Sequence, residues 1–360
     1  MKIIDVDKNI LLAAVYGGAV LGCGGGGKIQ DGLVRGELAL SRGKVKIVSL
    51  DYLEPDDLII TASSVGSPKS PDRYIEHDYY VRAAEMFIRR HKGPVKGIIS
   101  SENGAAASVN GWLQAASLGL FVVDAPCNGH AHPTGCMGSM GLHKLDGYLA
   151  CEAVVGGNRK QGKYFEYYSE DNISSTSALS RNAASIAGGV VAVARNPVTL
   201  SYASKNAAVG GLSYAIEIGK VMLAQEGQAQ KMISSICDYM RGEIIVKGEV
   251  NEVVVQTENA LDIGRLTVQD NKHSYHISFL NEYMSIDFLG KRLATFPDMI
   301  ALLNIETGLP VCSADLRDGL KVAVLVVKKE SMQLGSGMYF PDLYIPLEKQ
   351  LGIGLRKYIF

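Results

Sequence analysis

Between Asp124 and Cys136 the chain reads Asp124-Ala125-Pro126-Cys127-Asn128-Gly129-His130-Ala131-His132-Pro133-Thr134-Gly135-Cys136. An aspartate, two cysteines and two histidines share one loop bounded by Pro and Gly. Burying such groups costs free energy unless they are paired, so a fold gains nothing by collecting them. Loops on a rigid scaffold are where reactions are carried out. The plain alternative is a solvated surface loop. Cys127 has three readings: a nucleophile activated by His130 or His132, a zinc ligand within Cys127-x2-His130-x-His132-x3-Cys136, or a small apolar filler. The spacing matches no zinc knuckle, and four ligands from one short loop would be cramped. Metal and cofactor therefore stay open.

The elements around this loop follow an α/β rhythm. Leu58-Ile59-Ile60-Thr61, Gly97-Ile98-Ile99-Ser100 and Leu120-Phe121-Val122-Val123 read as short buried strands, and Val45 to Leu50 as another. A helix capped by Asp72 should follow the first and end before Gly93, and an Ala-rich helix over about 103–118 the second. Short apolar strands alternating with helices predict a parallel sheet covered on both faces. Ligands bind beyond the carboxyl ends of such strands. Ser63 to Pro68, Ser101-Glu102-Asn103-Gly104 and the Asp124 loop should therefore converge on one edge. Past Cys151, helices are predicted over 174–187, 210–225 and 228–240. From Arg241 to about Lys329, β-type runs dominate, among them Glu243–Val246, Glu252–Gln256, Ser274–Phe279 and Lys321–Val327. The expected organisation is an N-terminal parallel-sheet α/β domain over 1–165 and a β-rich α+β domain over 166–360.

At the N-terminus, Asp7 should cap a helix that stops at Gly22-Cys23-Gly24-Gly25-Gly26-Gly27, since a glycine run cannot propagate it. This run follows a helix, lacks Gly-Lys-Ser/Thr and does not join a strand to a helix, so a phosphate loop is disfavoured. A tight backbone crossing near a site is the better reading. Lys plus Arg total 36 against 37 for Asp plus Glu, a net charge of -1, so nothing neutralises a nucleic-acid backbone. The one cationic cluster, Arg89-Arg90-His91-Lys92, suits the last turn of a helix. Six scattered cysteines and no long apolar run point to a cytoplasmic protein without membrane partner.

Several segments together resemble the S-methyl thiohydantoin desulfurase family, a hydantoinase-associated group. They are Leu21-Gly22-Cys23-Gly24-Gly25-Gly26-Gly27, then Asp124 with Gly129-x-Ala131-x-Pro133, then Asn281-Glu282-Tyr283. Phe296-Pro297-Asp298-Met299-Ile300, Glu306-Thr307-Gly308-Leu309-Pro310 and Tyr344-Ile345-Pro346-Leu347 complete the set. The chain has His130 where the pattern carries Arg, and Cys127 and Cys136 stand outside it. The resemblance implies hydrolysis of a five-membered cyclic substrate, a hydantoin-like ring, with loss of methanethiol. Such chemistry needs a base for water, donors for the ring and an acid near the sulfur. Asp124 and Glu102 are the candidate bases, and Asp124, at the border of the sheet core, is the first choice; its plain alternative is an Asx turn. His132 and His130 could donate to the leaving group or ring. Ser64, Asn103 and Asn128 are candidate ring contacts, and Asn281 and Glu282 should approach the 124–136 loop. A homo-oligomer is expected, with a hydantoinase as candidate partner. The alternative function is a non-catalytic or regulatory subunit of a hydantoinase-type complex.

Overall fold

The structure, a computed structural model, describes residues 2–67, 70, 72–91, 93–258 and 261–360. Pro68 of the first predicted loop and Lys92 of the cationic cluster lie outside the described residues. Two sheets organise the chain. The first has eight strands in the order Ile3–Asp5, Lys46–Val48, Phe121–Val123, Val95–Ser100, Leu58–Gly66, Val190–Thr199, Ala150–Gly156, Phe165–Asp171. Lys46–Val48, Phe121–Val123, Val95–Ser100 and Leu58–Gly66 run parallel, and the flanking pairings are antiparallel. The three predicted strands thus lie side by side in the parallel part of a mixed sheet.

Alternation explains why both faces of that sheet are covered. Ile60, Ile98 and Val122 pack with Tyr80, Phe87 and Trp112 on one side. Ile59, Ile99 and Val123 pack with Leu142, Ile173 and Leu200 on the other. Each such side chain, fully buried, stabilises the fold by roughly 1.5–3 kcal/mol.

The second sheet is antiparallel throughout: Lys291–Thr295, Glu282–Phe288, Ser274–Leu280, Leu261–Gln269, Glu243–Glu258, Lys321–Val327, Met299–Asn304. The two predicted runs at 243–246 and 252–256 form one strand, Glu243–Glu258. The first sheet draws strands from both sides of residue 165, because Val190–Thr199 inserts beside Leu58–Gly66.

Helix Lys8–Leu21 begins as predicted, with Asp7 accepting the Ile10 N–H at 2.8 Å. It crosses helix Gly211–Leu223 so closely that a Cβ on Gly17 would stand 1.8 Å from the Ala215 carbonyl oxygen, which only glycine permits. Helices Ile173–Ile186 and Ala229–Met240 also lie where the sequence put them. No described helix is long and apolar enough to cross a membrane.

Three local expectations are corrected. The first parallel strand runs on to Gly66, so Ser63 and Ser64 are strand residues, held by pairing with Val193 and Ala192 of the antiparallel neighbour. The helix assigned to Asp72 starts at Asp78, because the preceding segment packs Tyr74 and Ile75 against the core. The Ala-rich stretch forms a single 3-10 turn over Ala107–Val109 and an α-helix only over Trp112–Leu118. Gly111, at φ +93°, interrupts it, and the Ala106 and Ala107 N–H groups are taken by the Gly26 carbonyl.

Candidate active site

The carboxyl ends of Leu58–Gly66 and Val95–Ser100, the loop after Phe121–Val123, the glycine run and the turn at Asn281-Glu282 meet around one cleft. The free space there, open solvent at the mouth included, is about 860 Å³. Glu102 stands on its wall, two residues past the end of Val95–Ser100. Its Oε2 accepts the backbone N–H of His132 at 3.1 Å and lies 3.4 Å from His132 Nε2. Burial pushes the Glu102 carboxyl well above the usual range, while the His132 N–H, Arg195 and Arg181 pull it back down. The His132 ring, with Nε2 also 3.2 Å from the Ser101 carbonyl oxygen, is lowered by burial to about 3 and is neutral at physiological pH.

A second carboxyl enters from the other sheet. Glu282 opens the strand Glu282–Phe288, follows Asn281 in left-handed conformation (φ +58°), and is 2% exposed. The glycine run explains its seat: a Cβ on Gly25 would lie 1.9 Å from Glu282 Oε1, so the loop passes over the carboxyl with no room for a side chain. That is the tight crossing read from the sequence. Glu282 Oε2 has no hydrogen-bond partner among the described residues. Desolvation, and then the charge of Glu102, raise its pKa strongly. Like charges on two carboxyls facing one cleft oppose each other's ionisation, so the pair favours holding one proton.

Sequence reasoning missed the cations. Arg35, Arg181 and Arg195 all line the cleft, from the helix Ile29–Arg42, the helix Ile173–Ile186 and the strand Val190–Thr199. A signal for one existed. Arg195 interrupts the apolar run Val190-Val191-Ala192-Val193-Ala194, and a charge inside a buried strand needs a partner or a task. Glu152 interrupts Ala150–Gly156 likewise and pairs in register with Arg195. Its carboxyl is raised to about 7, chiefly by burial.

The predicted site residues divide. Glu102, His132, Ser64, Asn281 and Glu282 line the cleft, and the last two approach the 124–136 loop as expected. Asp124, Cys127, Asn103, Asn128 and His130 do not line it. Asp124 Oδ1 accepts the N–H groups of Leu212 and Ser213 at 2.9 and 3.1 Å, and Oδ2 the Ser213 hydroxyl at 2.5 Å. It secures the start of helix Gly211–Leu223, so the residue expected as the base sits outside the cleft as a helix anchor, with three hydrogen bonds accepted there. Cys127 faces the Thr61 hydroxyl at 3.3 Å and is raised by burial to about 11, the filler reading rather than nucleophile. Asn103 donates to the Gly129 and Gly211 carbonyls, and Asn128 bridges the His130 carbonyl and the Gly335 N–H. Both are loop braces rather than ring contacts. His130 packs against Phe296, its Nδ1 and Nε2 2.8 and 3.0 Å from the carbonyl oxygens of Ala131 and Pro297. It ties the loop to the Phe296-Pro297 segment instead of facing a substrate. Among the described residues no three His, Cys, Asp or Glu groups are placed to hold a metal ion.

Residues 11–161 match the model of the S-Me-THD-like N-terminal domain, and residues 170–333 that of the S-Me-THD-like C-terminal domain. No curated protein matches. A crystal structure of a protein from Chromobacterium violaceum is similar at a TM-score of 0.70 and 18% identity, over 99% of this chain and 95% of the other. That likeness concerns the fold alone.

Proposed function

We propose that this chain, which belongs to the S-Me-THD-like family, is an enzyme that hydrolyses an S-methyl thiohydantoin-like ring and releases a thiol. The observation that carries the reading is the pair of buried carboxyls, Glu102 and Glu282, facing one cleft beside His132. Water would add to the ring carbon that bears sulfur, with Glu102 taking its proton and Glu282 giving one to the ring nitrogen. Collapse of the tetrahedral centre would form the ring carbonyl and break the carbon–sulfur bond. The hydroxyl proton returns to Glu282, and Glu102 hands its proton to the departing thiolate. General acid–base pairs do this best when their pKa values lie near the working pH, and burial moves both carboxyls up from the usual carboxylate range. Neutral His132 and the Ser101 carbonyl fix the direction of Glu102.

The test is to incubate the purified protein with a 2-methylthio-imidazolone, trapping methanethiol with a thiol reagent and following the hydantoin by mass spectrometry. Thiol and hydantoin in equal amounts support the reading. Ring binding without thiol release would favour the non-catalytic partner instead, and neither binding nor release would reject both.

A further inference from the structure

The guanidinium groups of Arg35, Arg181 and Arg195 all line the cleft but differ in their partners. Arg35 donates from both terminal nitrogens, to Asn110, Ser64 and Tyr80, and Arg181 donates to the Pro133 carbonyl at 3.0 Å. Arg195 is 5% exposed, and its Nε is buried without a hydrogen-bond partner among the described residues. The carboxyl best placed to hold it is turned elsewhere. Glu152, its register partner on the next strand, accepts the hydroxyls of Tyr167 and Ser169 on Oε1 at 3.3 and 3.5 Å, and its Oε2 has no partner among the described residues.

The seat of Arg195 is rigid. It lies in register between Thr61 and Glu152, in the middle of three hydrogen-bonded strands. On the loop side, a Cβ on Gly135 would stand 2.9 Å from Nη1, so this glycine leaves the edge of the guanidinium uncovered. A guanidinium keeps its proton inside a protein, and one buried with donors to spare is costly. In a reaction cleft such a fixed group is useful where negative charge appears only during the reaction.

The proposed hydrolysis creates such a charge. As water adds to the ring carbon that bears sulfur, the electron pair of its C=N bond moves onto the ring nitrogen. That nitrogen is conjugated with the ring carbonyl, so the carbonyl oxygen takes up part of the charge until Glu282 delivers its proton.

We infer that Arg195 is a catalytic residue of this reaction, donating hydrogen bonds from its guanidinium to the ring carbonyl oxygen as charge builds there. Arg195 stays protonated throughout, forms and breaks no covalent bond, and leaves the proton transfers to Glu102 and Glu282. The inference rests on the ring-hydrolase reading above and narrows its substrates to rings whose C=N bond is conjugated with a carbonyl.

The experiment measures methanethiol release from a 2-methylthio-imidazolone by the wild type and by Arg195→Ala. In the variant kcat is expected to fall by about 10²–10³, the usual effect of losing one donor to a developing oxyanion, with KM within a few-fold. Millimolar guanidinium chloride should restore part of the lost turnover in a saturable way, whereas urea, of the same shape but neutral, should restore none. Turnover within a few-fold of wild type in a folded Arg195→Ala protein would overturn the inference. So would a loss that guanidinium leaves unrepaired, or that urea repairs equally. A poorly folded variant does not block the result, because the wild type provides a second measurement. Deprotonated hydantoin carries negative charge on the same ring oxygen, which imidazolidin-2-one lacks. The affinity for hydantoin relative to imidazolidin-2-one should therefore rise from neutral to alkaline pH, and a ratio that stays flat or falls would overturn the inference. Absence of thiol release from the wild type would instead reject the ring-hydrolase reading, and this inference with it.

Discussion

Oε2 of Glu102 lies 3.4 Å from Nε2 of His132 and at the same time accepts the His132 backbone N–H at 3.1 Å. One carboxylate oxygen therefore pins a loop and touches its side chain. The loops that follow two neighbouring parallel strands are tied together at the place where the sheet topology brings them. Glu102 is thus aimed without help from a substrate, which is the preorganisation that proton transfer needs.

Buried carboxyls give the fold a pH signature. Glu152 has its pKa raised from 4.5 to about 7 by desolvation. The folded state then holds a proton that the unfolded chain releases, so stability falls as pH rises from about 4.5 to about 7 and levels off above. For this group the loss is on the order of 3 kcal/mol. Glu152→Gln should flatten the decline between pH 5 and pH 8 in urea titrations. An unchanged slope would mean that Glu152 ionises normally.

Asp124 anchors a helix, and its variants should report that. Asp124→Ala is expected to cost about 1–3 kcal/mol, since two backbone N–H groups and the Ser213 hydroxyl lose their acceptor. Asp124→Asn should cost less and leave turnover within about threefold of wild type, far from the 10²–10⁴ loss of a missing base. A folded Asp124→Asn variant with turnover lost on that scale would return the base to Asp124.

Cys127 is 1% exposed with a thiol raised to about 11, so the thiolate needed for attack or alkylation is scarce. Cys127→Ala should keep turnover and lose about 1–2 kcal/mol of stability from the small void. Iodoacetamide should leave the native thiol unmodified over hours. Rapid loss of activity on alkylation at Cys127 would contradict the filler role.

Much of the scaffold was legible because its signals are local. Asp7 caps its helix, the apolar runs at 58–61, 97–100 and 120–123 are parallel neighbours, and the glycine run makes the close crossing over Glu282. The loop at 124–136 does lend residues 132–135 to the cleft wall, but which of its side chains turn inward was not legible. Orientation there depends on partners remote in sequence: Ser213 captures Asp124, Pro297 captures His130, and only His132 is left to face Glu102. Ser63 and Ser64 read as loop because small polar residues end most strands, while the pairing partner that extends this one arrives 130 residues later, at Ala192 and Val193. Arg35, Arg181 and Arg195 share no spacing at all; only the fold brings them together.

The account stands most directly on Glu102. Glu102→Gln keeps an oxygen for the His132 N–H, so the fold and ring affinity should survive. Methanethiol release from the 2-methylthio ring, measured at saturating substrate, is predicted to fall by roughly 10²–10⁴. Release within a few-fold of wild type from a folded Glu102→Gln protein would contradict the account and move the base elsewhere in the cleft.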